Sequence, residues 1–470
     1  MKRILATCCL FLAGIPIAAG FSGCKSGEDY NPDKANIEVA MLASERKTFE
    51  AVEDLYEKEN PGVNIVIKTY TDYTGQMNNY VKNGWPHIVF TAGDQHAGYS
   101  GAGHFIDLKT LDEKDDSWSF EESDIYDVLL ESTHFSPTDT GYWFMPRDYN
   151  IPTIFVNKKH FEYAGIDFEE VKKNWGVEKF LEVCETLKAA YATADDGDLN
   201  NLQAGFLPTA YPLELDAVNP ANFQGILESW GGKNLDTTKS TVEEICSFTS
   251  DASVAAYVKF QNTFYGNNQY CDPTDTHSCL FNAKQAAMLL AVRPSVAAIP
   301  RDIDYDFLPN PFPVAGVGCG GYAITKQAEE DTFEGKKYTD YCWDFLKFLV
   351  SKEGQNALSS TGLVTPAIES LAEEGIWMNY GDTETLKHNH RAFTTGYTET
   401  KENGGMGGET IPLNDAKIFE PAAAYDIKEG LNSLVSFCIQ QPVDGFEAKF
   451  REKTVEVLNK FKKFNIVGSK

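Results

Sequence analysis

A strand–helix–strand unit near the start of the chain constrains the fold more than any other feature of the sequence. Residues 37–42 form an apolar run that predicts a strand, and residues 45–58 carry apolar side chains at helical spacing. The tripeptide Asn-Pro-Gly at 60–62 ends that helix, and the alternating run over 63–68 predicts a second strand. Two strands joined by a helix pair in parallel through a right-handed crossover. The sequence therefore predicts an α/β protein.

Length and charge limit the classes of function. The chain has 470 residues, of which 42% are hydrophobic and 23% charged, and this length suffices for two or three domains with cores of their own. The formal net charge of −28 repels polyanions, so the sequence predicts no nucleic-acid partner. An anionic small molecule would need a local basic pocket.

The first residues resemble a bacterial lipoprotein signal. Two basic residues precede an apolar run over residues 4–19, and small residues lead into Cys24. The resemblance implies that residues 1–23 are a signal peptide, that Cys24 carries lipid and that residues 24–36 form a tether. It implies an extracytoplasmic protein that is lipid-anchored to the cell membrane, on the periplasmic side or at the cell surface. An ordinary secretory signal with an incidental cysteine is the alternative.

The remaining cysteines leave one pairing open. Ten cysteines are present, and seven remain once Cys24 and the two in the apolar run are set apart. An odd number cannot all pair within one chain. Cys271 and Cys279 flank a turn-rich segment, and the sequence is compatible with a disulfide between them and with two thiols.

Further strands and helices follow along the chain. Residues 86–91 predict a strand that enters a glycine-rich loop, and residues 143–157 are strand-like with a bend or domain crossing at Pro152. Helical patterns cover residues 177–191, 242–245, 253–265, 284–290, 340–349 and 423–435. The alternation of strands and helices extends the α/β prediction through the chain.

Six segments are informative because of their order. They are MPRDYNIPTIFVNKKHFEYAGID at 145–167, VEKFLEVCETLKAA at 177–190, SWGGKNLD at 229–236, FNAKQAAMLL at 281–290, GVGCGGYAIT at 316–325, and CWDFLKFLVSKEGQNALSSTGLVTP at 342–366. Together they resemble extracellular solute-binding protein family 1, the carbohydrate-type receptors of ABC importers, to which the maltodextrin-binding proteins belong. The resemblance extends over nearly the whole chain after the signal segment.

The resemblance implies a two-lobed periplasmic-binding-protein fold of type II. Two α/β lobes joined by hinge crossings would close on a ligand held in the cleft between them. Lobe 1 would comprise residues 37–148 and 317–366, and lobe 2 residues 149–316 and 367–470. The family implies a monomeric receptor without enzymatic activity, cofactor or metal. Its partners would be a sugar, oligosaccharide or related polar solute and the permease subunits of an ABC importer.

The resemblance also assigns ligand contacts. They are Ser44 and Glu45 after the first strand, Asp94, Gln95 and Tyr99 in the loop after 86–91, Asn150 at the hinge, Trp230 as a stacking platform, and Gly320 and Gly321, where the backbone would approach the ligand. Ser44 is equally suited to cap a helix, and Tyr99 and Trp230 to pack in a core.

Arg293 departs from the family pattern. Many relatives place a tryptophan near this position to stack on sugar, whereas this chain has Arg293 and Pro294. Arg293 is expected either to clamp a carboxylate or phosphate together with Arg147, or to pair with a protein acid as a lobe-closing bridge. Two alternatives to a sugar receptor therefore stay open: the same fold binding an anionic solute such as a sugar acid or glycerophosphate, and an extracytoplasmic carbohydrate-active hydrolase using two acids of the cleft.

Overall fold

The computed structural model describes residues 30–194, 202, 210–217, 219–273, 279–380, 382, 387–394, 409–413, 415–420 and 423–467. The predicted signal peptide and Cys24 lie outside these ranges. Within the ranges, every helix is too short or too polar to cross a membrane.

Strands and helices alternate along the chain, as the sequence predicts. The strands are β1 (Ala35–Leu42), β2 (Val63–Tyr70), β3 (Ile88–Ala92), β4 (Met145–Pro146), β5 (Thr153–Asn157), β6 (Tyr211–Leu215), β7 (Ala286–Ala291), β8 (Tyr305–Leu308), β9 (Val314–Val317), β10 (Gly320–Ile324), β11 (Thr332–Phe333), β12 (Lys336–Lys337) and β13 (Glu409–Pro412). The helices are α1 (Arg46–Glu59), α2 (Tyr73–Asn83), α3 (Ala97–Gly101), α4 (Lys109–Asp112), α5 (Asp127–Ser132), α6 (Lys158–Tyr163), α7 (Phe168–Lys173), α8 (Val177–Ala192), α9 (Pro220–Ser229), α10 (Val242–Ile245), α11 (Asp251–Phe264), α12 (Gln327–Glu330), α13 (Tyr338–Leu349), α14 (Lys352–Ser359), α15 (Glu369–Glu374), α16 (Ala424–Gln440) and α17 (Phe446–Phe461).

The first sheet has the strand order β2-β1-β3-β10-β4. Strand β1 pairs in parallel with β2 and β3, and β10 is antiparallel to both of its neighbours. Helix α1 joins β1 to β2 and buries Phe49, Val52 and Tyr56. The Phe49 ring lies 5.3 Å from that of Tyr322 in β10, which fixes the helix against the sheet. The predicted crossover unit is therefore confirmed.

The second sheet has the order β6-β7-β5-β8, and it corrects one prediction. Residues 284–290 were expected to be helical, but they belong largely to β7, which pairs with both β5 and β6. All six residues of β7 are buried, because β7 has a neighbouring strand on each side and both faces of the sheet are covered. A strand buried on both faces has no polar alternation, so its apolar run resembles a buried helix in sequence.

The strand-like stretch 143–157 is divided between the two sheets. Its first part forms β4 in the first sheet and its last part β5 in the second, with Pro152 between them. Asn150 and Gly318 exchange two backbone hydrogen bonds, of 3.0 and 2.8 Å, so two crossing segments pair with each other between the sheets. Pro152 donates no hydrogen bond, which suits a bend at a crossing.

Three groups of buried apolar side chains support these sheets. The first core surrounds the first sheet and contains Phe49 and Tyr322, and the second core surrounds the second sheet and contains Phe223 and Phe260. A smaller third core packs beside the second sheet around Phe155. The residue boundaries of the lobes stay a prediction.

The two cysteines considered for pairing have different environments. Cys271 is buried, whereas Cys279 is exposed. Among the residues that the structure describes, no bond joins their two sulfur atoms.

Helix α9 packs unusually closely on β9. A Cβ atom added at Gly225 would lie 2.5 Å from the carbonyl oxygen of Val314 and 2.9 Å from Cα of Ala315. These atoms belong to backbone and cannot rotate away. The close approach fixes the first residues of α9, which line the space between the lobes described below.

We predict that Gly225→Ala destabilises the protein by about 1–3 kcal/mol, because overpacking against backbone outweighs the ~1 kcal/mol by which alanine favours a helix. Gly62→Ala is the matched control, since no atom lies within 4 Å of its added Cβ. Urea unfolding of both variants measures the difference. Equal stability of the two variants would show that the contact is not tight.

Two lysines of the C-terminal segment reach the first lobe. Lys428 Nζ in α16 lies 2.6 Å from Asp94 Oδ2, and Lys417 Nζ donates to the carbonyl oxygen of Ser132 at 2.7 Å. Lys417 is 3% exposed. Burial lowers its pKa to about 7, and the nearby Cys319 raises it only in part.

The desolvation penalty of Lys417 makes stability depend on pH. Its ordinary pKa is 10.5, so between pH 7 and 10.5 the unfolded chain binds a proton that the folded protein does not. The penalty is complete below pH 7 and disappears as the pH rises through this window. We therefore expect the unfolding free energy of the parent, relative to Lys417→Met, to rise with pH by at most about 1.4 kcal/mol per unit.

The measurement is urea unfolding of both proteins at pH 6, 8 and 9.5. Lys47→Met removes one positive charge from the exposed side of α1 and serves as the control. A difference between parent and Lys417→Met that stays constant from pH 6 to 9.5 would contradict the assignment.

Candidate ligand-binding cleft

An open cleft of about 520 Å³ separates the two sheets. Its walls are built from segments that follow strand ends: Asp94 and Gln95 follow β3, Asp216 follows β6, and Val292 follows β7. In α/β folds the carboxyl ends of parallel strands expose backbone and side-chain polar groups to one crevice. The cleft therefore occupies the position at which such a fold binds ligands.

A buried arginine forms the floor of the cleft on the side of the first sheet. Arg147 is 5% exposed and contacts the carboxylates of Glu45 and Asp148. Its guanidinium also lies over the Phe90 ring, 5.2 Å from the centroid. Burial alone would lower the pKa of Arg147, but the carboxylates of Asp148 and Glu45 raise it above its ordinary value. Its positive charge is thus neutralised by the protein itself.

Asp148 also orients the glycine segment that crosses the cleft. Its Oδ1 accepts a hydrogen bond of 2.8 Å from the backbone N–H of Gly320, whose carbonyl oxygen accepts one from the N–H of Arg147. A Cβ at Gly320 would lie 3.2 Å from both the Phe90 ring and Asp148. Gly320 lines the cleft. Gly321 instead makes its close approach to β4, because a Cβ there would lie 2.2 Å from the carbonyl oxygen of Met145.

The loop after β3 supplies the polar rim of the cleft. Asp94 and Gln95 both line it, and Asp94 is about one-quarter exposed while it pairs with Lys428 across the cleft. Asn150 also lines the cleft, and its side-chain oxygen is buried without a hydrogen-bond partner. The structure thus brings together Asp94, Gln95, Asn150 and Gly320 of the predicted contacts.

The opposite wall begins with the N-terminus of α9. The Asn219 side chain caps this helix by accepting from the N–H of Ala221, and Pro220 occupies the first helical position. Asn219, Pro220 and Ala221 line the cleft beside Asp216. The wall therefore combines an acid, an amide and a helix terminus.

Four other predicted contacts lie away from the cleft. Ser44 is exposed in a short 3-10 helix and caps no helix with its side chain. Glu45 pairs with Arg147 and does not itself line the cleft. Tyr99 packs on Trp85 in the first core, with ring centroids 5.8 Å apart. Trp230 stacks on Phe264, 5.9 Å away, in the second core. These aromatic rings serve packing here.

Arg293 also lies outside the cleft, which corrects both roles expected for it. It is fully buried in the third core, where Nε donates to the carbonyl oxygen of Gly362 at 2.7 Å and Nη2 to that of Trp377 at 3.1 Å. The guanidinium lies over the Phe393 ring, 5.1 Å from its centroid, and burial lowers its pKa to about 10. Only its neighbours in sequence, such as Pro294, reach the cleft. The side chain turns inward because backbone carbonyls and rings satisfy it there.

One cluster among the described residues has a metal-like arrangement of donor atoms: Asp382, His388 and His390. However, Arg293 Nη1 lies 2.8 Å from His390 Nδ1, and a guanidinium only donates. His390 Nδ1 must therefore accept, which leaves the ring proton on Nε2, facing Asp382 Oδ1 at 3.1 Å. A protonated Nε2 cannot ligate a metal. The cluster positions the Arg293 guanidinium through the contact between Arg293 and His390.

Sequence reasoning missed several residues of the cleft. Asp148 directly follows Arg147 at a strand end, and Asn219-Pro220 is a helix-start signal a few residues after a strand, so both carried a local signal. Lys428 lies in the second turn of a long helix, and its position at the cleft depends on how that helix packs. No local pattern marks it.

Comparison with known proteins agrees with this geometry. The sequence profile described as bacterial extracellular solute-binding protein matches residues 51–385. No curated protein is similar enough in sequence to match the chain.

Solved structures share the fold at low identity. An ABC substrate-binding protein from Listeria monocytogenes, in complex with cycloalternan, is 14% identical with a TM-score of 0.67, over 91% of this chain and 100% of that chain. The GacH receptor of Streptomyces glaucescens, studied with acarbose, is 15% identical with a TM-score of 0.64, over 91% and 99%. The maltose/maltodextrin-binding domain MalE of Bdellovibrio bacteriovorus, bound to maltotriose, is 14% identical with a TM-score of 0.60, over 90% and 100%.

These likenesses confirm the predicted two-lobed periplasmic-binding-protein fold. The profile covers most of the chain, and the family comprises solute-binding proteins that act outside the cytoplasm. The chain belongs to the bacterial extracellular solute-binding protein family.

Proposed function

We propose that this protein is a lipid-anchored extracytoplasmic receptor that binds a sugar or oligosaccharide in the cleft and delivers it to an ABC importer. The observation that carries the proposal is the lining of the cleft, where acids and amides from both lobes face one space and each lining cation already pairs with an acid. Such a surface offers hydrogen bonds to the hydroxyl groups of a neutral ligand. Solved relatives of the same fold hold cycloalternan and maltotriose.

The cleft gives little support to an anionic solute. Arg147 is shared between two carboxylates, Lys428 pairs with Asp94, and Arg293 lies in the third core. An anion at Arg147 would have to displace one of its carboxylates, which would leave a buried charge unpaired. A neutral polyol requires no such exchange.

A hydrolase is also poorly supported. Glycoside hydrolysis uses one carboxyl group that donates a proton to the leaving oxygen. Asp94 and Asp148 instead each accept from a cation, and Asp148 also accepts from the Gly320 N–H. These two acids therefore orient other groups and accept hydrogen bonds, which supports the proposal that the protein binds without catalysis.

Ligand capture would proceed by closure of the lobes. A ligand that contacts Asp94 on one wall and the α9 terminus on the other interacts fully only when both walls are close, so it shifts the population toward the closed state. The lipid anchor at Cys24 would keep the closed receptor near the permease subunits that accept the solute, and the receptor would act as a monomer.

The test is a thermal-shift and calorimetric screen of the chain from Lys25 onward, with maltose, maltotriose, cellobiose and cyclic glucans beside sugar acids and glycerol phosphate. We expect one or more neutral sugars to stabilise the fold, by about 2.7 kcal/mol at one hundred times the dissociation constant. Asp94→Ala removes an acceptor at the rim, and we expect it to weaken binding by about 1.5–3 kcal/mol, or roughly tenfold or more.

Glu429→Ala, in the same helix as Lys428 and exposed, is the matched control and should bind as the parent does. Stabilisation by anions alone would overturn the proposed ligand class. Conversion of the sugar into products would overturn the receptor itself.

A further inference from the structure

A side pocket of about 200 Å³ opens beside the cleft in the second lobe. It shares Asp216, Asn219 and Val292 with the cleft lining, so the two spaces adjoin each other. A water molecule occupies about 30 Å³ in the liquid, so the pocket accommodates a group of several heavy atoms. It therefore has the size of a ligand subsite.

Two amide oxygens at this pocket lack partners. Asn222 is 4% exposed, its Nδ2 donates to the carbonyl oxygen of Asp216 at 3.0 Å, and its Oδ1 has no hydrogen-bond partner. Because Nδ2 is held in this way, the orientation of the amide is set. Asn282 Oδ1 is also buried without a partner. A buried acceptor without a donor is unfavourable by about 1–3 kcal/mol, so two in one pocket indicate a donor supplied from outside the protein.

The charge of the pocket restricts what that donor is. The lining includes the acids Glu214 and Asp216, and none of the lining residues that the structure describes is a lysine or arginine. Glu214 is 4% exposed and accepts from the N–H of Phe281. Acids with amide oxygens form a set that accepts hydrogen bonds and carries negative charge. The complementary ligand group donates hydrogen bonds and carries positive charge.

We infer that the side pocket is a subsite for an ammonium group, so that the preferred ligand is an amine-bearing sugar. This inference rests on the proposed sugar-binding function and names the ligand class within it. The ammonium would donate to Asn222 Oδ1 and Asn282 Oδ1 beside the carboxylates, while the rest of the sugar occupies the cleft. Leu289 and Val292 line the same pocket and give it apolar walls, which strengthens a charged hydrogen bond.

The test compares disaccharides that differ only at the nitrogen. Isothermal titration at pH 6 of the chain from Lys25 onward uses cellobiose, its counterpart with free amines (the β-1,4 dimer of glucosamine), and the N-acetylated form of that dimer. We expect the amine dimer to bind at least tenfold more tightly than the other two. Asn282→Ala should remove most of that preference and leave cellobiose binding unchanged. Asn222→Leu is the second variant at the pocket and should likewise weaken the preference.

Asn174→Ala, an exposed asparagine of the same lobe, is the control and should keep the preference. If any neutral sugar binds and the amine dimer binds no better, the inference is wrong and the proposed function stands. If no sugar binds at all, both fail. If Asn282→Ala keeps the full preference for the amine dimer, the ammonium binds elsewhere and the inference is overturned. It is also overturned if calcium binds in the pocket and the amine dimer does not compete with it.

Discussion

The buried charge of Arg147 is the constraint on which the rest of this structure depends. Its guanidinium needs two carboxylates, and these come from different parts of the chain: Glu45 after the first strand and Asp148 on the segment that leaves the first sheet. Asp148 in turn fixes the backbone of Gly320 on another crossing segment. Removing one partner would leave a buried charge unpaired, which would destabilise the fold by about 3–5 kcal/mol. One cation thus fixes three segments at the floor of the cleft.

The same arrangement decides the chemistry of the cleft. Because Arg147 satisfies the protein's own acids, its charge is not available to a solute, and the groups that remain are mostly acceptors. The orphan oxygens of Asn150 in the cleft and of Asn222 and Asn282 in the side pocket continue this pattern into the second lobe. A lining rich in acceptors favours ligands that donate hydrogen bonds, which supports the neutral sugar proposed for the cleft and the ammonium group proposed for the side pocket.

Local patterns predicted much of the fold, and packing decided the rest. The β1–α1–β2 unit carries its own periodicity and stop signal, so its sequence suffices to predict it. Strand β7 could not be predicted because burial on both faces erases the alternation that marks a strand. At the site, the segments that carry Asp94 and Gly320 could be singled out from the sequence, and both residues line the cleft. Arg293 was misplaced, since only the tertiary structure shows that carbonyls and rings of the third core satisfy its side chain.

The contacts between the two walls of the cleft determine how much binding free energy a ligand would need to bring the walls together. The Lys428–Asp94 pair is partly exposed, and such pairs contribute only about 0–1 kcal/mol. Lys417 makes a buried hydrogen bond to Ser132, but the desolvation of its ammonium opposes that contact. Neither contact holds the two walls together firmly, so the proposed closure would depend on the ligand. In the proposed mechanism, hydrogen bonds from a solute to both walls would shift the population toward the closed state, because a change of about 1.4 kcal/mol alters it tenfold. Weak contacts between the walls would allow the proposed receptor both to capture a solute and to release it.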